Sequence, residues 1–146
     1  MPSLTIRVPD LEGTGPVLDV ELGNSLTGRR ALQQQMQLVP GAIQVRALVD
    51  TGADMCVIDS GLAAALKLTL IGFQFLTGGY AGGPLPGVTA VPEYSARLVF
   101  PNGIGFDITA IETSLPGGLQ MLIGRDVLAK GSFNYEGLKE CFTLVF

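Results

Sequence analysis

Residues 46–59 read RALVDTGADMCVID: Ala47, Leu48 and Val49 form an apolar run, and Met55, Cys56, Val57 and Ile58 resume it. Between them stand Asp50, Thr51 and Gly52, a carboxylate, a hydroxyl and a glycine where a buried strand would carry apolar side chains. An ionisable group placed where water is scarce is costly unless its charge is partnered or used. Ile43, Val45, Ala47 and Val49 alternate with Gln44, Arg46 and Leu48, a strand pattern that delivers Asp50 at its end. Met55 to Ile58 is then a second short strand, and the triplet is the loop between the two.

The chemistry open to that carboxylate is narrowed by what the chain lacks. It contains no histidine. Without imidazole there is no Ser-His-Asp triad, no Cys-His pair, no H-E-x-x-H metal site and no His general base, so acid/base chemistry falls to carboxylates. Cys56 and Cys141 lie far apart and match no metal-ligand spacing; they are expected to be reduced, buried thiols. There is no Walker loop and no G-x-G-x-x-G, so no cofactor and no metal are expected.

Charge and composition bound the partners. The 13 acidic and 9 basic residues leave a net charge of −4, with no Lys/Arg cluster beyond Arg29-Arg30, so a nucleic-acid footprint is missing. No apolar stretch approaches the ~20 residues needed to cross a bilayer. The opening MPSLTIRVPDLEG has neither a basic n-region nor a continuous apolar one, and no asparagine begins an N-x-Ser/Thr acceptor. The expectation is a cytoplasmic protein without membrane or nucleic-acid partners. A length of 146 residues suits one core, and 20 glycines and 9 prolines cut it into short segments that favour β structure with many turns.

Outward from the triplet, Leu4 to Val8 and Val17 to Leu22 read as strands around a turn at Gly13 to Pro16. Residues 23–41, polar and glutamine-containing, read as an exposed insertion with a helical turn, and Gln33-Gln34-Gln35 as a solvated face. Asp59-Ser60 reads as the N-cap of a helix over Leu62 to Leu68. Two apolar arms between Leu70 and Phe100 are joined by GYAGGPLPG, a hairpin over 72–98 with a glycine-dense tip. Pro101-Asn102-Gly103 turns the chain into a strand from Ile104 to Ile111. QMLIGRDVLAKG gives a strand, a glycine and a short helix stopped by Gly131 at C′. SFNYEGLKECFTLVF closes the chain as a hairpin.

Taken together, ALVDTGADMCVID at 47–59, the glycine-tipped hairpin about 30 residues later and LIGRDVL at 122–128 resemble the retropepsin-like aspartic proteases, single-domain relatives of pepsin that act as homodimers. In that family an apolar run, Asp-Thr/Ser-Gly-Ala, further apolar residues, a flap hairpin, and two apolar residues before Gly-Arg-Asp/Asn and a short helix follow in this order. The likeness spans about Val17 to Phe146. It implies one all-β domain over 1–146, a closed barrel with one or two short helices and one lobe per chain. It further implies an aspartic endopeptidase whose water is activated by Asp50 of two subunits. Two carboxylates roughly 3 Å apart cannot both ionise, so one serves as base while the protonated other polarises the scissile carbonyl.

The resemblance assigns the remaining roles. Asp50, Thr51 and Gly52 form the catalytic triplet, Thr51 holding the loop through its hydroxyl and Gly52 admitting a substrate backbone. Ala53, Asp54, Gly78, Gly79, Tyr80, Ala81 and Ile123 bind substrate, the flap closing over an extended peptide or protein segment. Gly124, Arg125 and Asp126 support the site, Arg125 by reaching Asp54 and Asp126 by its place at a helix N-terminus. Leu48, Val57, Leu85, Val88 and Ile123 are expected to contribute to substrate pockets. Asp59-Ser60-Gly61 also fits Asp-Ser-Gly, but it lies nine residues from Asp50 and is followed by a helix pattern, so the second carboxylate is expected from another subunit. The C-terminal CFTLVF reads either as a dimer-interface strand or as half of a hairpin within the chain. A dimerisation or peptide-binding module without turnover is the alternative function.

Overall fold

The structure, a computed structural model, describes residues 1–77 and 88–146. Among the described residues, ten strands, four short α-helices and a 3-10 turn at Gly137–Lys139 follow one another, the helices more numerous than the sequence suggests. Strands β1 (Ser3–Arg7), β2 (Val17–Gly23) and β3 (Ile43–Val49) precede the Asp-Thr-Gly loop; β4 (Cys56–Ile58) follows it. Then come β5 (Thr69–Thr77), β6 (Val88–Val99), β7 (Gly105–Glu112), β8 (Met121–Ile123), β9 (Ser132–Glu136) and β10 (Cys141–Val145).

Seven strands form one sheet in the order β2-β3-β8-β4-β7-β6-β5, and a further β2–β6 pairing closes the first six into a barrel. The closure is antiparallel, with Glu21 opposite Val99 and Gly23 opposite Arg97. β5 is left outside the ring and, among the described residues, is paired only to β6, in antiparallel register from Thr69 opposite Ser95 to Thr77 opposite Val88. The remaining strands form a separate antiparallel sheet, β1-β10-β9.

The continuous apolar runs around the triplet have a geometric cause. Successive strand residues point to opposite faces, so a strand reads as wholly apolar when both faces are covered. Cys56, Ile58, Met121 and Ile123 turn into the main core, while Val57 and Leu122 join Val91 and Ile111 in a second buried cluster on the other face. The small sheet covers the core from outside: Phe142 and Leu144 are fully buried, and the Phe146 ring lies 5.0 Å from Phe100 and 4.9 Å from Phe106.

Several local expectations change in the structure. The Gly/Pro turn region holds α1 (Leu11–Thr14), capped by Asp10, whose carboxylate accepts from the Gly13 amide. Residues 23–41 contain α2 (Leu26–Gln34), a nine-residue helix capped by Ser25. Asn24 and Ser25 are buried and bonded to Leu66 O and Ser95 Oγ, so the start of this segment is stitched to the barrel while Gln33 to Gln35 face solvent. α3 (Leu62–Leu66) is not capped by Asp59 or Ser60. Its N-cap is Gly61, at φ 93°, and the Ala63 amide is taken by the Glu112 carboxylate from β7. Asp59 instead accepts from the Leu115 amide, and Ser60 pairs with Ser114. Gly131 does not take the left-handed C′ role after α4 (Arg125–Leu128), whose C-cap is Ala129. A side chain at Gly131 would run into the Val145 carbonyl, so this glycine serves close approach to β10.

The capping of α3 from a distant strand gives a stability test. Glu112→Ala is expected to lower unfolding free energy by about 1–2 kcal/mol in urea denaturation, the usual cost of losing a cap. Ser60→Ala is expected to stay within about 0.5 kcal/mol of the parent. Equal losses from the two would overturn the assignment.

Candidate active site

The Asp50 loop is fixed by the strand that lies between its two ends. β8 pairs in parallel with β3, Val49 beside Ile123, and antiparallel with β4, Val57 beside Leu122. The chain therefore leaves β3 at Asp50, arches over the end of β8 and returns in β4. The Asp50 amide donates to Ile123 O at 3.0 Å, and the Arg125 amide donates to Ala53 O at 2.8 Å, fastening both limbs of the arch. Gly124 sits directly beneath it. A Cβ there would lie 2.5 Å from the Met55 carbonyl carbon and oxygen, so only glycine lets the two backbones meet.

Within the arch, Asp50 is half-buried and its Oδ1 accepts from the Gly52 amide at 2.9 Å. The Ala53 amide donates to Asp50 O at 3.2 Å, closing a tight turn. Among the described residues, no donor reaches Asp50 Oδ2. The carboxylate opens on a cleft of about 260 Å³ whose floor and sides are Val57, Ile111, Leu115 and Leu122, with Phe75 and Leu76 contributed by β5. Asp50 and Asp54 are the carboxylates at this cleft.

Behind the loop, Asp126 joins α4 to β4. Its carboxylate accepts from the Cys56 amide at 3.3 Å, from the Cys56 thiol at 3.4 Å and from the Val127 amide at 2.9 Å. Burial pushes the Cys56 thiol far above its ordinary pKa, and the neighbouring Asp126 charge adds to the push. The thiolate is the reactive form, so this cysteine is held inert as a hydrogen-bonding core residue. Cys141 is likewise free and buried.

The arrangement is a carboxylate held by a backbone amide at a strand end, over an apolar cleft, in a closed six-stranded barrel. A family model for aspartyl proteases matches residues 38–127, from before β3 to α4. The chain belongs to the aspartyl protease family. Its fold is retropepsin-like: a retropepsin-like aspartic protease from Rickettsia conorii aligns over 98% of this chain and 89% of that one, with a TM-score of 0.56 at 14% identity. An EIAV protease bound to the inhibitor HBY-793 aligns over 84% and 92% with a TM-score of 0.49 at 19% identity. A retroviral protease-like domain of Ddi1 from Leishmania major aligns over 88% of each chain, at 0.44 and 16%. No curated protein matches the chain.

Against this aspartyl protease frame the expected residues can be placed one by one. Asp50, Gly52, Ala53 and Asp54 all border the cleft. Thr51 is exposed, and among the described residues it is held through its carbonyl, which accepts from Arg125 Nη1 at 2.8 Å, rather than through its hydroxyl. Arg125 consequently ties the loop to α4 at Thr51, and makes no ion pair with Asp54 among the described residues. A guanidinium offers five donors, and a carbonyl on the arch lies within its reach where an exposed carboxylate can remain solvated.

Ile123 is fully buried in the core, and strand alternation presents Leu122 to the cleft in its place. Val57 lines the cleft as expected, while Leu48 packs beside it as a partly buried neighbour. Gly78, Gly79, Tyr80, Ala81 and Leu85 lie outside the described residues. Met55, Phe75, Leu76, Ile111, Thr113 and Leu115 border the cleft without having been singled out in the sequence. The alternation that puts Val57 opposite the core was the available signal, and extending it to β7 finds Ile111.

Two outcomes follow. Gly124→Ala is expected to destabilise the fold by about 2–3 kcal/mol, since the methyl group meets backbone that cannot step aside; an unchanged urea midpoint would contradict the packing. Cys56 is expected to resist iodoacetamide in the native protein at mildly alkaline pH and to react on unfolding; rapid native labelling, read by mass spectrometry, would contradict the buried thiol.

Proposed function

We propose that the chain is an aspartic endopeptidase whose catalytic unit is a homodimer, with Asp50 of each subunit supplying one carboxylate of the dyad. The observation that carries this reading is the half-buried Asp50, whose Oδ1 is fixed by the Gly52 amide and which borders an apolar cleft. A lone carboxylate there would be a poor catalyst for amide hydrolysis. Two related by a twofold axis would share one proton and titrate as a pair.

The ionised member takes a proton from a bound water, whose oxygen attacks the scissile carbonyl carbon. The protonated member meanwhile donates to the carbonyl oxygen. As the gem-diol collapses, one of its hydroxyls returns a proton to the ionised aspartate, the C–N bond breaks, the other aspartate protonates the departing amine, and the dyad is left with one shared proton. Val57, Ile111 and Leu122 favour apolar side chains of an extended peptide. Ala53 and Asp54 border its backbone, and the hairpin of β5 and β6, with Gly78 to Ala81 at its tip, would cover it as a flap.

Cleavage of a peptide library from acidic to neutral pH, wild type against Asp50→Asn, tests the proposal. Activity is expected to fall at least ~10³-fold in the variant and to be blocked by a statine-type inhibitor. In dilute protein the rate is expected to rise with the square of concentration. Cleavage surviving Asp50→Asn would sink the dyad. Absence of cleavage by a folded dimer at every pH would leave a peptide-binding module.

A further inference from the structure

On the reading that two copies of Asp50 must meet, the chain needs a self-complementary surface, and the C-terminal strand cannot provide it alone. β10 is the middle strand of its sheet, with Ser3–Arg7 on one side and Ser132–Glu136 on the other, all from the same chain. Both of its backbone edges are therefore used. The edges left in that sheet among the described residues belong to β1 and β9. An unpaired edge is a template for another strand, and antiparallel pairing of a strand with its own copy is twofold symmetric by construction.

We propose that the homodimer forms by antiparallel pairing of β9 with β9 of a second copy, centred on Asn134, giving a continuous six-stranded sheet. The sequence of β9, Ser-Phe-Asn-Tyr-Glu, is complementary to itself in that register. Ser132 falls opposite Glu136 of the second copy, Phe133 opposite Tyr135, and Asn134 opposite Asn134. The pairing makes two aromatic cross-strand pairs and sets no like charges directly opposite. Tyr135, a large side chain left 46% exposed, gains a partner.

β1 is the less suitable edge. Pro2 and Pro9 bracket it and carry no amide to extend a ladder, a common way of blocking an edge, whereas β9 runs between Gly131 and Gly137. β9 is also the edge tied to the site. Ala129 to Gly131 alone separate it from α4, which is bonded to the arch at Thr51 and Ala53. One helical turn and three residues span at most roughly 16 Å, so the start of β9 lies within that reach of Arg125, which holds the loop. Five residues of edge are a small contact beside the ~800 Å² per partner of a standard interface, so the dimer is expected to be weak and to tighten when one peptide bridges both clefts.

Sedimentation of Asn134→Lys, Asn134→Glu and their equimolar mixture tests the interface, with circular dichroism confirming the fold. Asn134 is exposed and its substitution leaves the core untouched. Each single variant places like charges opposite each other at the axis and is expected to dimerise at least tenfold more weakly than wild type, while the mixture recovers dimer. Thr5→Lys, on the competing edge, is expected to change nothing. Wild-type-like dimerisation of both Asn134 variants, loss on Thr5→Lys alone, or a wild type monomeric at every concentration would each overturn the interface. Peptide cleavage is read separately. A β9 dimer without Asp50-dependent cleavage leaves the interface standing and removes the protease reading, and Asp50-dependent cleavage indifferent to Asn134 does the reverse.

Discussion

The contact on which the rest of the structure depends is the pairing of β8 with both β3 and β4. Two strands joined by six residues would ordinarily be neighbours, but here a third, arriving more than sixty residues later, lies between them. That insertion forces the Asp-Thr-Gly segment to arch over the end of β8, and it brings the carbonyl of Ile123 and the amide of Arg125 within bonding distance of the arch. The parallel register of Val49 with Ile123 sets Asp50 level with Gly124, so the carboxylate and its support are placed by one ladder.

A polar loop can be half-buried at this point because its least exposed backbone groups, at Asp50 and Ala53, find partners nearby. An unpaired buried amide or carbonyl costs about as much as a lost hydrogen bond. The arch satisfies its groups through Ile123 O, the Arg125 amide and guanidinium and the Gly52 turn, while Asp126 secures the first amide of β4. Apart from the turn's own bonds to Asp50, these partners come from 123–126, within the short LIGRD segment at 122–126. Rigidity of the loop and integrity of the α4 start are consequently the same property. The hairpin of β5 and β6 lies outside this lattice, attached to the barrel through β6, which leaves that part of the cleft wall the least constrained by the closed ring.

How much of this was legible in the sequence depended on whether a feature was local. The strand ending at Asp50, the apolar run after it, the long hairpin and the Gly-Arg-Asp helix start could be read because each is written in consecutive residues. So could the dependence on carboxylates, once histidine was absent. What could not be read was pairing across the chain. Asp59-Ser60 looked like a cap, yet a β7 carboxylate from Glu112 lay nearer to the helix amide. Arg125 was expected at Asp54, but the arch carbonyl of Thr51 was the acceptor in reach. Ile123 and Leu122 are equally apolar, and only the register of β8 decides which faces the cleft. Residues 23–41 looked like an insertion because their polar face is most of the segment, while Asn24 and Ser25, the residues that anchor it, are polar as well.

The same locality separates what one chain completes from what it leaves open. Behind the loop, the Asp126 carboxylate is matched within the chain by the Cys56 amide, the Val127 amide and the thiol of Cys56. At the front of the arch, Asp50 Oδ2 and the Thr51 hydroxyl have no partner among the described residues, although both belong to the most tightly supported turn in the molecule. Under the proposed function, this turn is half of a site. In the proposed homodimer, a twofold axis beside the loop would present each of these groups to its own counterpart, given a self-complementary surface elsewhere in the chain. Under that arrangement, the stability of the arch belongs to the single chain and its chemistry to the pair.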